Sequence, residues 1–451
     1  MNRAIVKRSG NMTEGSPLKC MLFFAVPMIL GNLFQQLYNL VDSIIVGNLV
    51  GADALAAVGA STAITQLFVM VAIGTGIGCS VIISQLYGAA KLEKMKTAIS
   101  TALCSILVFS LFLSLVGRLF SGGILQMMGT PEDLFGDAKR YLDIYFYGFF
   151  FLFLYNAFSA VFNALGYSLI PLLFLAFSSA LNIGLDLLFV GRFHFGIAGA
   201  AWATLIAQGI SSALSFLVLI RLLADIESEK YPRFDVELLK KMTKVAIPTI
   251  IQQSMVSVGM LLIQAAVNRF GSVFLAGYTA AIRIDGMAIV PMVNAGNAVS
   301  TFVAQNMGAG KTQRAKQGYH VGLAMAIFIG VFIGGVMFLW GDTFVGFFMD
   351  SRTDAASIAI GVQYISVVSM FYFVMGTMNC TSAVLRGAGD MRWFMSITLV
   401  NLIVRVTLTY LLADVTNGMI IMWANPIGWT VGLLLAFIRY KQGGWKRIRL
   451  I

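Results

Sequence analysis

Charged residues are scarce in this sequence. Only 11% of its 451 residues are Asp, Glu, Lys or Arg, whereas 59% are hydrophobic. A soluble domain usually carries about 25% charged residues, so this composition excludes an ordinary soluble domain. Mean hydropathy is +0.85, and apolar runs of about 20 residues, the length of a bilayer-spanning helix, recur along the chain. Because the runs are continuous rather than alternating, they predict an all-α polytopic membrane protein.

Cysteine and histidine are also rare, with four and two residues respectively. The cysteines lie in or at the apolar runs, so no disulfide framework is expected. No nucleophile–His–acid set occurs within these runs, so we expect neither an enzyme nor a bound organic cofactor. The first apolar run is too long for the core of a signal peptide and is interpreted as an uncleaved first span.

Twelve transmembrane spans are predicted, and the basic residues orient them. With both termini in the cytoplasm, the inner segments hold 23 of the 31 Lys and Arg residues and the outer loops hold 6. This asymmetry follows the positive-inside rule. It explains the net charge of +11 without a polyanionic partner, so no nucleic acid partner is expected. The spans are 20–48, 54–80, 97–117, 138–163, 168–190, 197–222, 242–268, 273–302, 317–340, 357–384, 393–413 and 417–438.

The chain repeats itself at an offset of about 220 residues. The segment "SQLYGAAKLEKMK" (84–96) aligns with "AQNMGAGKTQRAK" (304–316), and "AVP" (25–27) aligns with "AIP" (246–248). The repeat predicts an N-terminal six-helix lobe over 1–224, a cytoplasmic linker over 225–240 and a C-terminal six-helix lobe over 241–451. Since six spans return the chain to the same side, the lobes should be related by a pseudo-two-fold axis along the membrane normal, as in many transporters.

The first span carries a polar stripe. Its side chains recur every three or four residues and therefore share one helical face. A polar face is costly in lipid, so it should look into the helix bundle or a wet cavity. The members of this stripe are Asn32, Gln35, Gln36, Asn39 and Asp42. We interpret Gln35 and Asn39 as candidates for contact with substrate.

Two further spans add polar pairs with helical spacing. Asn182 and Asp186 are four residues apart in span five, as are Thr204 and Gln208 in span six. Together with Asp42 they supply oxygen donors, which suit a proton or a hard monovalent cation. We therefore predict a cation site at Asp42, Asn182, Asp186 and Thr204, and assign Gln208 to the substrate candidates.

The second half lacks this set of acids. Asp42 aligns with Ile263 at an offset of 221, so the fold does not require a charge at that position. Span eight carries Arg283 and Asp285, which are two residues apart and cannot share a helical face. Span eleven carries Arg405. These three residues are further candidates for contact with substrate, and structural and gating roles stay open for both arginines.

Three stretches resemble a known family. The segment "AVPMILGNLFQQLYNLVDSIIVGNLVGADALAAVG" in span one and its loop, and the pair "ISQLYGAAK" and "VAQNMGAGK", are similar to the multidrug and toxic compound extrusion (MATE) family. The resemblance implies two six-helix lobes around a central cleft. It also implies exchange of inward H⁺ or Na⁺ for the export of organic, often cationic, compounds by alternating access.

The same resemblance implies a cation site in the first lobe. In prokaryotic branches this site uses an aspartate of span one, an asparagine and an aspartate of span five, and a threonine of span six. These fall on Asp42, Asn182, Asp186 and Thr204, which would be the metal ligands if the coupling ion is Na⁺. Spans seven and ten lack the acids that some members carry, so coupling through the first lobe is preferred.

The expected protein is thus a secondary antiporter of the prokaryotic cytoplasmic membrane. We expect a functional monomer that takes a small organic substrate. The choice between H⁺ and Na⁺ stays open because both ions use the same oxygen ligands. A lipid-linked oligosaccharide flippase of the same wider superfamily is the alternative. Such a protein usually lines its cleft with several basic residues, whereas this chain places only Arg283 and Arg405 within spans.

Overall fold

A computed structural model describes residues 10–228, 231–347, 354–448 and 450–451, without the side chains of 52–55 and 63. Within these ranges the protein consists of helices and turns and has no β-strand. The predicted all-α fold is confirmed. Residues 30–250 pack as one compact unit, and residues 10–29 pack with 251–451 as another.

The first seven helices cover the first six predicted spans. Helix α6 continues into a π-helical turn, Leu187–Arg192. The helices are α1 (Pro17–Leu49), α2 (Ala52–Gly88), α3 (Leu92–Met127), α4 (Glu132–Tyr147), α5 (Phe149–Ala164), α6 (Leu169–Asp186) and α7 (Gly196–Ala224).

Eight helices cover the last six predicted spans. Short 3₁₀ turns occur at Asn268–Phe270 and Gly444–Arg447. The helices are α8 (Val236–Val267), α9 (Gly271–Ala288), α10 (Val290–Gly308), α11 (Thr312–Gly346), α12 (Ala355–Ser369), α13 (Tyr372–Ala388), α14 (Met391–Leu412) and α15 (Met419–Gln442).

Twelve membrane crossings follow from helix length. In the described ranges, nine helical stretches are long and apolar enough to cross a bilayer, and two bent pairs, α4 with α5 and α12 with α13, add two more. One of the nine is the 73-residue stretch from α8 to α10. At 1.5 Å per residue it is about 110 Å long, against a hydrocarbon core of about 30 Å. It therefore holds two crossings, separated at Gly271, whose φ of 83° breaks the helix.

Three predicted spans are broken helices rather than continuous ones. Spans 138–163 and 357–384 bend by 51° and 50°, and span 273–302 divides between α9 and α10. Pro291 in the first turn of α10 explains the last break, because proline has no N–H to continue the hydrogen bonding of α9. At the first bend, Gly148 leaves room for Leu205 of α7, which a side chain at this position would displace.

The two compact units divide the chain inside α1 and inside α8. In each helix the division comes two residues after a proline, Pro27 or Pro248, and these prolines are equivalent in the sequence repeat. Proline interrupts the backbone hydrogen bonding of a helix. The predicted lobe boundaries, 1–224, 225–240 and 241–451, stay a prediction. Packing groups residues 10–29 of the first predicted lobe with the second unit.

The second copy of the repeated motif binds the segment that precedes α1. Gln305 accepts a hydrogen bond from the Met12 N–H (2.9 Å), and Asn306 donates one to the Met12 carbonyl (3.2 Å). Arg314 donates to the carbonyls of Met12 and Glu14 (3.2 and 2.7 Å). Met12 is only 1% exposed. These polar side chains satisfy the backbone groups of a segment that has no regular structure of its own.

The first copy binds the segment that precedes α8. Lys96 of this copy donates to the Ile226 carbonyl (2.6 Å), and Thr101, five residues later on α3, accepts from the Asp235 N–H (3.0 Å). The Lys96 ammonium also lies over the Tyr231 ring, 5.6 Å from its centroid. Each copy of the motif therefore fastens the chain before the first helix of the other half. The repeated "GAAK" and "GAGK" segments are helix ends, and Lys311 of the second donates to the Thr13 carbonyl at 3.1 Å.

Glycines allow close helix crossings within each unit. A Cβ on Gly277 of α9 would collide with the Ser357 carbonyl of α12, and one on Gly78 of α2 would collide with the Ala246 backbone of α8. In lipid, where apolar burial gives little driving force between helices, such small residues let backbones approach and gain van der Waals contact.

Candidate functional site

Two aspartates from different helices meet in the unit formed by residues 30–250. Asp42 of α1 is half-buried, and Asp186, the last residue of α6, is fully buried. Their carboxyl groups lie within hydrogen-bond reach of each other. Each has an Oδ1 atom that is closed to solvent and has no hydrogen-bond partner within the described ranges. Buried acceptors in this state are costly, and a proton or monovalent cation between them would satisfy both.

Asn182 connects Asp186 to Thr204 of α7. In the amide orientation that satisfies both neighbours, Asn182 Nδ2 donates to Asp186 Oδ2 at 2.9 Å. Its Oδ1 then accepts from the Thr204 N–H and hydroxyl at 3.1 and 3.2 Å. The structure thus brings together the four residues of the predicted cation site. The i, i+4 spacing of Asn182 and Asp186 places both on the face of α6 that looks toward α7.

Helix α6 changes geometry directly after Asp186. The chain continues as a π-helical turn over Leu187–Arg192. Single π-helical turns are frequent at functional sites, because they redirect side chains and free backbone groups. Hydropathy gives no sign of this turn.

Two tyrosines, Tyr38 and Tyr141, lie near the carboxyl pair and were not predicted. The Tyr38 side chain lies beside Thr204 and within electrostatic range of both acids. Tyr141 also lies within that range, and its ring stacks on Tyr145 with centroids 6.3 Å apart. Their spacing was a usable signal, since Tyr38 precedes Asp42 by four residues and Tyr141 precedes Tyr145 by four. Aromatic residues are so common in membrane helices that packing was the simpler interpretation.

The three substrate candidates of the first half have different surroundings. Gln35 donates to Asn39 along α1 at 3.4 Å, and neither is buried. Gln208 lines a small cavity with Tyr145 and Thr204. Gln208 therefore shares a cavity with Thr204 of the predicted cation site.

A second polar cluster occupies the unit formed by 10–29 and 251–451. Asp285 of α9 is 7% exposed and accepts a hydrogen bond from the Tyr372 hydroxyl at 2.8 Å. Arg405 of α14 lies within electrostatic range of Asp285 and Tyr364, and Asn425 donates to the Tyr364 hydroxyl at 2.7 Å. The Arg405 Nε atom is closed to solvent and has no hydrogen-bond partner in the described chain.

Arg283 is not part of this cluster. It is exposed on α9, as expected for a residue two positions from Asp285 on a helix. A pairing of Arg283 with Asp285, left open by the sequence, is absent from the ion pairs of the described residues. Arg405 is thus the arginine that shares the surroundings of Asp285.

Helix α14 of the second cluster carries different chemical groups at the positions equivalent to Asn182 and Asp186. At an offset of 223, Arg405 takes the place of Asn182 and Thr409 takes the place of Asp186. In the second unit a guanidinium thus replaces the amide and a hydroxyl replaces the carboxylate, so these positions do not repeat the acid of the first unit. This agrees with the preference for coupling through the first half.

The donor set of the first cluster suits a proton or a hard monovalent cation. It combines two carboxyl groups with one amide and one hydroxyl oxygen, and hard cations prefer such oxygen ligands. Across the part of the chain that the structure describes, no group of three or more His, Cys, Asp or Glu residues could hold a metal ion.

Comparisons with known proteins agree with this arrangement. The MatE family model matches residues 27–188 and 248–411, one match in each half of the sequence repeat. The chain is 31% identical over 449 residues to the probable multidrug resistance protein YpnP of Bacillus subtilis, covering 98% of each chain. It is 23% identical over 382 residues to the multidrug export protein MepA of Staphylococcus aureus, covering 84% of each.

Solved structures share the fold. A MOP superfamily transporter from Pyrococcus furiosus aligns with a TM-score of 0.88 at 22% identity, covering 98% of this chain and 99% of that one. An outward-facing multidrug resistance MATE family transporter aligns with a TM-score of 0.87 at 22% identity, covering 96% and 98%. With its twelve crossings, its duplicated sequence and a family match in each half, this chain belongs to the MATE family of membrane transporters.

Proposed function

We propose that this protein is a multidrug antiporter, which exports lipophilic organic cations in exchange for H⁺ or Na⁺ by alternating access. The carboxyl pair of Asp42 and Asp186 carries this proposal, because each acid holds a buried oxygen atom without a partner. The printed names of YpnP and MepA describe multidrug resistance and multidrug export, which supports the substrate class.

Repulsion between the two carboxylates can couple ion binding to substrate release. Two unit charges about 4 Å apart repel by about 4 kcal/mol at an effective dielectric constant of about 20. An empty carboxylate pair is therefore unstable unless a cation lies close to it. A proton or Na⁺ between Asp42 and Asp186 removes this repulsion, and so does an organic cation bound beside them. The coupling ion and the substrate then compete, and loading of one releases the other.

The geometry favours a proton as the first ion to test. Two carboxyl groups within hydrogen-bond reach can share one proton directly. Na⁺ would need oxygen ligands on several sides. Asn182 and Thr204 supply two of these, at hydrogen-bond distance from each other.

The protein is proposed to act as a monomer in a prokaryotic cytoplasmic membrane with both termini inside. The excess of Lys and Arg on that side supports the orientation. The second polar cluster gives the flippase alternative little support, since Arg283 is exposed and Arg405 lies beside Asp285.

Transport in reconstituted vesicles tests the function and its ion. Purified protein in liposomes is expected to move ethidium, a fluorescent organic cation, against its gradient when a pH gradient or a Na⁺ gradient is imposed alone. The gradient that drives uptake identifies the coupling ion. Protein-free liposomes, and liposomes in which a proton carrier or a Na⁺ carrier removes the gradient, are the controls. No uptake under either gradient would overturn the proposal.

A further inference from the structure

A cavity of about 400 Å³ opens in the unit formed by residues 30–250. It lies between Arg118 of α3, one face of α4 and Trp202 of α7. Its volume is within the range of small-molecule sites, roughly 300–1,000 Å³. The α4 residues that line it recur at helical spacing and include Gly136, Lys139, Arg140, Asp143 and Tyr147.

The cavity carries excess positive charge. Its single acid, Asp143, accepts hydrogen bonds from Lys139 Nζ and from the Ser121 hydroxyl, both at 2.7 Å. Lys139 is thereby neutralised. Arg118 and Arg140 have no ion pair among the residues described, which leaves two unneutralised guanidinium groups on one cavity. A guanidinium presents several N–H donors in a plane that matches a phosphate or a carboxylate.

The cavity lies at a membrane interface. Lys96 and Arg118 of helix α3 are 22 positions apart with no charged residue between them, a separation of about 33 Å along the helix. The hydrocarbon core is about 30 Å thick, so these two residues lie near its opposite surfaces. Lys96 holds the linker segment at Ile226, and Arg118 is therefore at the other interface. In the orientation proposed above, that interface belongs to the outer leaflet.

Basic residues are unexpected on this side. The sequence places only six Lys and Arg residues in the outer loops, and three of them, Arg118, Lys139 and Arg140, line this one cavity. The positive-inside rule disfavours such a concentration, which therefore calls for a local reason.

The surroundings fit a lipid better than a free ion. Leu115 and Leu111, one and two turns before Arg118 on α3, are 59% and 47% exposed, so an apolar track runs from the cavity toward the middle of the membrane. Tyr147 and Trp202 are 53% and 41% exposed at the cavity. Such amphipathic rings are enriched where headgroups meet acyl chains. The Arg118 guanidinium carbon lies 4.0 Å from the Tyr147 ring centroid, which holds that side chain in place.

We propose that this cavity binds the headgroup of an anionic phospholipid. Arg118 and Arg140 bind the phosphate, Tyr147 and Trp202 border the glycerol region, and an acyl chain lies along the Leu111–Leu115 face of α3. The two guanidinium groups could bind the phosphate oxygens of a lipid or of a soluble phosphate. The apolar track beside them favours the lipid.

Binding of a labelled lipid to the purified full-length protein tests the site without transport. Dansyl-phosphatidylglycerol is titrated into the protein in neutral detergent, and energy transfer from tryptophan reports binding. The wild type should bind it about tenfold more tightly than dansyl-phosphatidylcholine, since each basic residue contributes several-fold to binding of an anionic lipid. The double variant Arg118→Gln/Arg140→Gln should lose this preference.

A second variant tests the cavity without changing charge. A Cβ on Gly136 would meet open space, so Gly136→Phe should fill the cavity and also remove the preference. Arg192→Gln, an outer arginine away from the cavity, and Gly123→Phe, an α3 glycine that also faces open space, should keep it.

Three results would overturn the proposal. They are equal affinity for both lipids in the wild type, an unchanged preference in the arginine and Gly136 variants, and displacement of the labelled lipid by inorganic phosphate at constant ionic strength. The last result would assign the cavity to a soluble anion. Because ethidium transport is not measured, failure here leaves the antiport proposal unaffected, and failure of transport leaves this site unaffected.

Discussion

Asp42→Asn is expected to reduce gradient-driven ethidium transport to less than about a tenth of the wild-type rate. Asparagine keeps the size of the side chain but removes the charge and one of the two carboxyl groups that hold the coupling ion. A hydrogen bond to a charged group contributes about 1.5–3 kcal/mol, and each 1.4 kcal/mol is about tenfold in an equilibrium constant. Because the substitution keeps the size of the side chain, we expect it to weaken binding of the coupling ion rather than to destabilise the fold. The measurement is the initial rate of uptake into liposomes of matched protein content.

Partner and control variants make this result specific. Asp186→Asn should reduce transport to a similar degree, and the double variant should be little worse than either single one, because residues that act as a unit are not additive. Asp342→Asn, at an exposed acid in the other unit, should leave the rate unchanged. Full coupled transport by Asp42→Asn with normal ethidium affinity would mean that the carboxyl pair does not couple the ion.

Gly277→Leu is expected to prevent recovery of folded protein. Helices α9 and α12 cross there through two glycines. A Cβ on Gly277 would collide with the Ser357 carbonyl, and a Cβ on Gly361 would lie 3.0 Å from the Gly277 carbonyl. The backbone cannot move aside as a flexible side chain can. Overpacking usually costs 1–3 kcal/mol, and occasionally more, and a leucine between two backbones should exceed about 3 kcal/mol. Size-exclusion chromatography in mild detergent measures the folded, monodisperse fraction.

Gly286 provides the matched control on the same helix. A Cβ at Gly286 has no atom within 4 Å, and leucine favours a helix over glycine by several tenths of a kcal/mol. Gly286→Leu should therefore yield normal amounts of monodisperse protein. Equal recovery of the two variants would show that the Gly277 crossing does not limit helix packing.

The positions of the spans could be predicted because the bilayer sets the length of each apolar run. The breaks within three spans could not, since hydropathy does not report backbone direction. Pro291 was a visible signal for one break, whereas the bend at Gly148 depends on Leu205, 57 positions away in sequence. The π-helical turn after Asp186 likewise leaves no trace in composition.

The carboxyl site could be predicted because charge in a membrane helix is rare and costly. Helical spacing and donor chemistry nominated four residues, and the family resemblance implied the same four: Asp42, Asn182, Asp186 and Thr204. The tyrosines around these acids come from α1 and α4, and no local pattern shows that the two helices meet. The basic cavity at Arg118 was missed for the same reason, since its residues come from α3, α4 and α7.

Ion release on substrate binding tests the central claim most directly. Ethidium is added to purified protein in weakly buffered detergent solution, and proton release is followed with a pH indicator. The same experiment with ²²Na⁺-equilibrated protein follows sodium. If substrate and ion compete at Asp42 and Asp186, ethidium binding will release one of the two ions from the wild type and neither from Asp42→Asn. Saturating ethidium binding to the wild type with no release of either ion would contradict the account.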